Sequence, residues 1–262
     1  ITKPETLHVC YCHSPMRYAW DNWHEYIREY KMNPLIKRWA KKKIHKIRMW
    51  DKISADRVDY FIANSKTTQA RIDKHYRRPS TVINPMIDIN KYNISSKTKG
   101  YFLAVGRLIP YKKFDLIIET FNNLGLPLKI VGSGIMEDDL KKKANDNIQF
   151  LGFVPENELG KLYSECEALI FPQLEDFGII PLEAMASGRP VIAFNKGGAT
   201  ETVVDKETGI LFAKQDTLHL KAAIEKFIEE KKKFDSKKIR EHAKLFDEEE
   251  FEKNLSKYLQ KK

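Results

Sequence analysis

Two carboxylates flank a turn in the segment QLEDFGIIPLEAMASGRP (173–190). Glu175 follows the apolar run ALIFP (168–172), and Glu183 lies in the first turn of the helix that comes next. Pro181 is suited to the start of that helix, where a missing N–H costs nothing. Carboxylates placed there accept hydrogen bonds from sugar hydroxyls and stabilise positive charge at an anomeric carbon. The alternative is a first-turn carboxylate that only favours the helix and a second one that is only a surface loop residue.

The same segment predicts an anion site. The backbone amides of Gly178, Ile179 and Ile180 stand at the amino end of the predicted helix, after Phe177. Amides at a helix start have no intrahelical acceptor and bind phosphate or hydroxyl groups. All four residues are therefore predicted to contribute to a ligand site.

Two cations follow another predicted strand, in GRLIPYKK (106–113). Arg107 and Lys112 are separated by a turn that contains proline, so both side chains can project to the same side. Such a pair can clamp a diphosphate and neutralise its charge as it leaves. The alternative is a solvated basic turn before a helix.

Glycines mark three further turns. Gly106 begins the basic turn, Gly132 lies in VGSG (131–134), and Gly197 with Gly198 separates a strand from a helix. Glycine allows backbone to approach a ligand closely. The VGSG segment lacks the third glycine and the acidic residue of a dinucleotide fingerprint, which disfavours NAD.

The order of apolar runs predicts an α/β fold. Six strands, spaced by helical patterns, are expected after residue 100, which indicates a parallel sheet with helices on both faces, the doubly wound nucleotide-binding architecture. The strands are predicted at 101–106, 128–132, 148–153, 168–172, 190–194 and 209–213, and the helices at 111–124, 135–144, 156–166, 181–187, 199–205 and 217–230.

A shorter α/β unit precedes this sheet. It has about three predicted strands, at 7–13, 60–65 and 80–85, with helices at 18–30, 34–55 and from Ser65 to about Tyr76. The expected organisation is a partial domain over 1–92, a linker over 93–100, a complete domain over 101–244 and a terminal helical segment over 245–262. Because a full domain of this kind needs more strands, the amino-terminal part of a larger protein is expected to be absent.

The positive charge is concentrated in the first unit. The chain has 262 residues and a net charge of +10, and residues 1–90 carry 18 Lys and Arg against 9 Asp and Glu. The segment 27–52 interleaves lysines with Trp39 and Trp50. Such a helix can bind an anionic membrane or nucleic acid; alternatively, its tryptophans face the core. Three cysteines, an odd number, indicate buried reduced thiols rather than a disulfide framework, and no apolar run reaches membrane-spanning length.

Together these motifs resemble the retaining glycosyltransferases of family 4, which have the GT-B fold of two facing Rossmann-like domains. The E-x7-E motif of that family corresponds to Glu175 and Glu183, its Gly-Arg-x4-Lys motif to Gly106, Arg107 and Lys112, and its Gly-Gly loop to Gly197 and Gly198. The string YCHSPMRYAWD (11–21) is similar to bacterial polysaccharide and lipopolysaccharide mannosyltransferases, and it would place His13 near the donor sugar.

The resemblance implies transfer of a hexose, with mannose favoured, from a nucleoside-diphosphate sugar such as GDP-mannose to a glycan or polyprenyl-linked acceptor. It implies that Glu175 contacts the sugar and Glu183 the ribose. No D-x-D metal site is evident, so no metal and no further cofactor are expected. The protein is expected in the cytoplasm, peripherally at the inner face of the plasma membrane. The rival hypothesis is a non-enzymatic basic module that binds RNA or an anionic membrane, although the near-neutral second unit disfavours RNA.

Overall fold

The structure is a computed structural model that describes residues 3–21, 23 and 33–262. The helix expected over 18–30 lies mostly outside the described residues, as does the start of the basic segment at 27–32. The chain divides into two compact units, Ile1–Asn84 and Pro85–Lys262.

The first unit has a three-stranded parallel sheet in the order β1-β2-β3, formed by Val9–Cys12, Tyr60–Ala63 and Ser80–Val82. Helix α1 (Pro34–Asp56) begins at Asn33, whose side chain accepts a hydrogen bond from the amide of Leu35 at 2.8 Å. Helix α2 (Lys66–Tyr76) begins at the predicted N-cap, Ser65, whose hydroxyl accepts from the amide of Thr68 at 2.9 Å. The three predicted strands and the capping residue are therefore confirmed.

The second unit has a six-stranded parallel sheet in the order β6-β5-β4-β7-β8-β9. Its strands are β4 (Phe102–Val105), β5 (Leu128–Val131), β6 (Ile148–Gly152), β7 (Leu169–Phe171), β8 (Val191–Phe194) and β9 (Gly209–Phe212). Its helices are α3 (Phe114–Leu124), α4 (Glu137–Lys143), α5 (Glu156–Glu165), α6 (Ile179–Ala186), α7 (Ala199–Thr202), α8 (Thr217–Glu230), α9 (Ser236–Ala243) and α10 (Glu248–Leu259).

Helices cover both faces of this sheet, as the sequence predicts. One core contains side chains from α3, α4 and α8, and the other contains side chains from α5, α6 and α9. Each predicted strand and helix of this sheet is present within a few residues of its expected bounds. Helix α9 is the element that the sequence analysis missed; its Asp235 N-cap and its buried Ile239 and Ala243 were the available signals.

The division between the units falls at Asn84 rather than at residue 92. Ile87, Ile89 and Tyr92 are buried in the second core, and the amide of Ile87 donates to the carbonyl of Phe246 at 2.9 Å. The expected linker is also attached to this unit, since the amide of Lys99 donates to the carbonyl of Glu165. These contacts join residues far apart in sequence, so composition alone placed the boundary too late. A return of the terminal helix towards the first unit stays a prediction.

All three cysteines are free thiols, with Cys12 and Cys166 buried and Cys10 half-buried, as expected. Among the described residues, no helix is both long and apolar enough to span a bilayer.

Candidate active site

The order of the strands reverses in the middle of the sheet, between β4 and β7. The chain runs outward from β4 to β5 and β6, and then resumes at β7 on the other side of β4. Ligands of doubly wound sheets bind at the carboxyl ends of strands where this reversal occurs. The loops after β4 and β7 are residues 106–113 and 172–178, the two segments that carry the predicted cations and the first predicted carboxylate.

An ion pair joins these two loops. The ammonium of Lys112 contacts Oε1 of Glu175, and the side chains are only 11% and 16% exposed. An ion pair with so little water around it is screened weakly by salt. The structure thus brings together two of the predicted residues, and Glu175 is the carboxylate partner of Lys112.

Arg107 lies on the same loop with an exposed side chain. The loop folds tightly around it, because the amide of Leu108 donates to the carbonyl of Ser133 at 2.9 Å and the amide of Ile109 to that of Arg107 itself. The backbone is fixed, whereas the guanidinium is open to solvent. This is the arrangement expected of a cation that binds an anionic ligand at the sheet edge, and the diphosphate role of Arg107 and Lys112 stays a prediction.

Gly106 and Gly132 pack the loops after β4 and β5 against each other. A Cβ on Gly132, which has a φ of 126°, would stand 2.0 Å from the carbonyl oxygen of Gly106. Their amides are taken by the protein itself, since Gly106 donates to Val131 at 3.0 Å and Gly132 to Gly152 at 2.7 Å. Both glycines therefore shape the rim of the site without offering an amide to a ligand. Gly134, not singled out from the sequence, has the same role, with a virtual Cβ 2.4 Å from the carbonyl of Leu108.

The loop after β7 leads into α6 through Gly178, which has a φ of 89°. Gly178 is the N-cap residue, and Ile179 and Ile180 are the first two helical residues, so their amides lack intrahelical acceptors as the sequence predicts. The side chain of Phe177 is different: it is buried in the core, with its ring centroid 5.9 Å from that of Phe246. Phe177 can contribute to the site only through its backbone.

Gly197 and Gly198 pack closely against the backbone of this loop. A Cβ on Gly197 would be 2.4 Å from the carbonyl oxygen of Glu175, and one on Gly198 would be 2.1 Å from that of Phe177. The amide of Gly198 donates to the carbonyl of Glu175 at 2.9 Å. The close approach that these glycines were predicted to allow is thus made by the protein's own loop. They position Glu175 and the amides that follow it.

Glu183 lies in the second turn of α6, not in the first as the sequence predicted, because the helix begins at Ile179 rather than at Pro181. Its side chain is partly buried. The hydroxyl of Tyr163, on α5, donates to its Oε2 at 2.6 Å. Burial raises the pKa of Glu183, while hydrogen bonds from Tyr163 and Tyr92 oppose that shift. Neither tyrosine is identifiable as a partner of Glu183 from the sequence, because they lie 20 and 91 positions away and have the pattern of ordinary core residues in their own segments.

A further arginine holds Tyr92 in place. The guanidinium of Arg240, on α9, donates to the carbonyls of Tyr92 and Ala186 at 2.5 Å each and to that of Ile89 at 2.9 Å. This connects the segment before β4 with the end of α6, the helix that carries Glu183. Arg240 also escaped the sequence analysis, since its partners are backbone oxygens.

His13 belongs to the first unit. It follows β1 with an exposed side chain, its ring packs edge-on at 5.4 Å from that of Tyr11, and its carbonyl accepts from Oγ1 of Thr68 at 3.1 Å. It also lines a cavity of about 560 Å³ within that unit, next to Cys12 and Trp50. The position at a strand's carboxyl end is as predicted, and its role near a donor sugar stays a prediction.

Among the described residues, no group of three or more His, Cys, Asp or Glu side chains is placed to hold a metal ion. The metal independence expected from the sequence stays a prediction.

Residues 87–246 match the family described as glycosyl transferases group 1. The chain belongs to this family. The match includes all six strands of the second unit and both predicted glutamates, and it ends before α10. It confirms the resemblance that the motifs indicated, and the assignment to family 4 is consistent with it.

Individual relatives have several activities in their names. The chain is 34% identical over 155 residues to the O-antigen chain mannosyltransferase RfbU of Salmonella typhimurium, covering 54% of this chain and 43% of the relative. It is 32% identical over 165 residues to a glycogen synthase of Mycobacterium tuberculosis, covering 57% and 40%. The chain spans about half the length of the first curated relatives it matches.

The fold is shared with solved glycosyltransferases of the GT-B type. The Anabaena protein HepE, solved in complex with UDP and glucose, superimposes with a TM-score of 0.77 at 21% identity, covering 96% of this chain and 71% of that one. The predicted α/β architecture, with its six-stranded parallel sheet, is therefore confirmed.

Proposed function

We propose that this protein is a glycosyltransferase that moves a hexose from a nucleoside-diphosphate sugar to a hydroxyl acceptor with retention of configuration. The observation that carries the proposal is the ion pair between Lys112 and Glu175, which joins the ends of β4 and β7 at the switch point of the sheet. The open amides at the start of α6 lie in the next residues of the same loop. Carboxylate, cations and amides at one edge suit a sugar diphosphate.

Each group has a distinct task in this reaction. Arg107, Lys112 and the amides of residues 178–180 take the growing negative charge of the departing diphosphate. Glu175 faces the sugar and stabilises an oxocarbenium-like transition state. The acceptor hydroxyl attacks from the face that the diphosphate leaves, and a phosphate oxygen takes the hydroxyl proton. Lys112 then has two anionic partners in turn, Glu175 before the donor binds and the diphosphate afterwards.

Mannose, carried by GDP, is the favoured sugar. The name of the Salmonella relative supports mannose, whereas the glycogen synthase and the UDP and glucose complex of HepE make UDP-glucose the main competitor. Glu183 is proposed to bind the ribose hydroxyls, which both nucleotides share. The contact of Glu183 with the ribose therefore does not select between the two bases.

The acceptor is proposed to be a glycan or a polyprenyl-linked sugar, used at the cytoplasmic face of the plasma membrane. The similarity to an O-antigen mannosyltransferase supports this class of acceptor. Membership of the glycosyltransferase family and the paired carboxylates favour an enzyme over a non-enzymatic basic module.

Calorimetry with GDP-mannose, UDP-glucose and UDP-N-acetylglucosamine tests the proposal. We expect one of the three, GDP-mannose first, to bind, and to bind equally well with and without EDTA. Lys112→Ala should weaken binding, whereas Lys161→Ala, at an exposed position of α5, should not. Failure of all three nucleotide sugars to bind the wild-type chain would contradict the proposal. Loss of binding in EDTA would contradict the proposed metal independence of the protein.

A further inference from the structure

Helix α1 has one face that packs on the first unit. Ile44 and Ala55 are 4% and 5% exposed. On the same side, Asp51 accepts hydrogen bonds from Nε1 of Trp20 at 2.7 Å and from the hydroxyl of Tyr76 at 2.9 Å, and Arg48 donates to the carbonyl of Ala19. These contacts fix the rotation of the helix about its axis.

The opposite face is rich in apolar side chains that remain in solvent. Trp39 and Trp50 are each 61% exposed, so the interpretation of both tryptophans as core residues is wrong. At 100° per residue, Leu35, Trp39, Trp50 and Ile53 lie within an arc of about 60°. The large exposed hydrophobic residues of α1 are Leu35, Ile36, Trp39, Met49, Trp50 and Ile53.

Lysines share this face with the apolar side chains. Lys42, Lys43 and Lys46 are exposed and fall within about 100° of helix surface that includes the apolar arc. The ammonium of Lys43 lies 5.7 Å from the ring centroid of Trp39. The acidic residues of α1 are Asp51, on the packed face, and Asp56, which pairs with Lys52 at 2.5 Å. Within α1 the outward face is therefore apolar and positively charged, and the carboxylate nearest to it, that of Asp56 at the end of the helix, is paired with Lys52.

We propose that the outward face of α1, defined by the six apolar residues above with Lys42, Lys43 and Lys46, docks the protein on an anionic lipid bilayer. Tryptophan rings and lysines suit the interface between headgroups and acyl chains, where the ring is half in hydrocarbon and the ammonium reaches phosphate. Each lysine near an anionic leaflet adds attraction that falls off within a Debye length.

The aliphatic residues decide between a bilayer and RNA. Lysines and tryptophans suit either partner, because bases stack on aromatic rings. Leu35, Ile36 and Ile53 have no comparable partner in RNA, whereas a bilayer buries them among acyl chains. The inference rests on the proposed function in one respect, since a lipid-linked acceptor gives the docking its use.

Co-sedimentation of the full chain with vesicles tests this surface. We expect binding to vesicles of phosphatidylcholine with phosphatidylglycerol, weaker binding at high salt, and little binding to phosphatidylcholine alone. Reversing Lys42, Lys43 and Lys46 to Glu should weaken binding by about 100-fold or more, since each lysine contributes roughly fivefold at such a surface. The combined change Trp39→Ala and Trp50→Ala should weaken it as well.

Matched controls come from the second unit. Reversing Lys231, Lys232 and Lys233 to Glu makes the same change of charge in another exposed lysine run, and Leu218→Ala removes an apolar side chain that is 74% exposed. Both should leave sedimentation unchanged. No sedimentation, equal salt-insensitive binding to both vesicles, or equal loss in the control lysine variant would overturn the inference. Tighter binding of single-stranded RNA than of anionic vesicles at the same salt would also overturn it.

Nucleotide-sugar binding by calorimetry on the same variants separates the two proposals. If the lysine reversal abolishes sedimentation while nucleotide-sugar affinity and the thermal melting curve are unchanged, the docking surface is supported. If the wild-type chain binds no vesicle but still binds the sugar donor, only the docking inference falls. If it binds vesicles but no sugar donor, only the proposed function falls.

Discussion

The hydroxyl of Tyr163 donates a hydrogen bond of 2.6 Å to Oε2 of Glu183, and it does so from a side chain with no exposed surface. The two residues lie on neighbouring helices, α5 and α6, which pack on the same face of the sheet. The bond leaves Glu183 in one orientation and opposes the effect of burial on its pKa. In the proposed ribose-binding role, a carboxylate held in this way is already ordered, which lowers the entropy lost on binding.

The raised pKa of Glu183 predicts a pH dependence of stability. Because burial makes the native state hold this proton at a higher pH than the unfolded state, the native state binds more protons between the ordinary value of 4.5 and the shifted pKa. The free energy of unfolding should therefore be highest below that window and fall as the pH rises through it. Urea titrations of the wild type and of Glu183→Gln across this range would measure the effect; parallel curves would contradict it.

Tyr163→Phe should weaken binding of the nucleotide. Loss of the hydroxyl removes a hydrogen bond to a charged group, worth about 1.5–3 kcal/mol, and raises the pKa of Glu183 further. The dissociation constant of the preferred nucleoside diphosphate should rise, most of all at acidic pH, where less Glu183 is ionised. Tyr101→Phe is the matched control, because its buried hydroxyl donates to the carbonyl of Leu162. Equal effects of the two changes on affinity would show that Tyr163 is only structural.

The two glutamates should separate kinetically. Glu175→Gln is expected mainly to lower kcat, because the proposed position of this residue beside the sugar makes its charge matter most in the transition state. Glu183→Gln is expected mainly to raise the KM for the donor through lost ribose contacts. Steady-state kinetics with the preferred sugar donor would measure both. Wild-type values in both variants would remove the E-x7-E interpretation.

Arg107→Ala should lower the affinity for nucleoside diphosphates by about 2 kcal/mol or more, the scale of a charge-assisted hydrogen bond. The side chain is exposed, so the melting temperature should change little. Calorimetry with GDP and UDP, compared with the nucleosides guanosine and uridine, would isolate the phosphate contribution. Arg57→Ala, at another exposed arginine, is the control. Unchanged affinity for the nucleoside diphosphates would contradict the assignment of Arg107 to the diphosphate.

Gly198→Ala should destabilise the protein by about 3 kcal/mol, because the new Cβ would stand 2.1 Å from the carbonyl oxygen of Phe177 and 2.2 Å from its Cα, so that backbone would have to shift. The variant should also lose activity, since the loop that carries Glu175 would shift. Gly160→Ala is the control within helix α5, where the nearest atom would be 3.4 Å away and alanine is the better helix former. Thermal melts should show a loss in the first variant and no loss in the second.

The local elements of this protein were readable from its sequence. Alternation of apolar and helical patterns predicted each strand of the six-stranded sheet, because a strand buried on both faces must be continuously apolar. Ser65 was identified as an N-cap since its hydroxyl satisfies an amide three residues away. The E-x7-E spacing likewise describes a loop followed by a helix, which are both short-range features.

Tertiary structure decided what surrounds those residues. The partners of Glu183 come from α5 and from the segment before β4, and Gly198 meets the backbone of Phe177 from another loop. The sequence left open whether Trp39 and Trp50 face the core, because both sides of α1 carry apolar residues. Packing of the opposite side against Tyr76 and Ala19 determined which side stays in solvent. Short-range patterns follow from backbone geometry and are present in any sequence window. Contacts between distant segments depend on how the whole chain packs, and no single window contains that information.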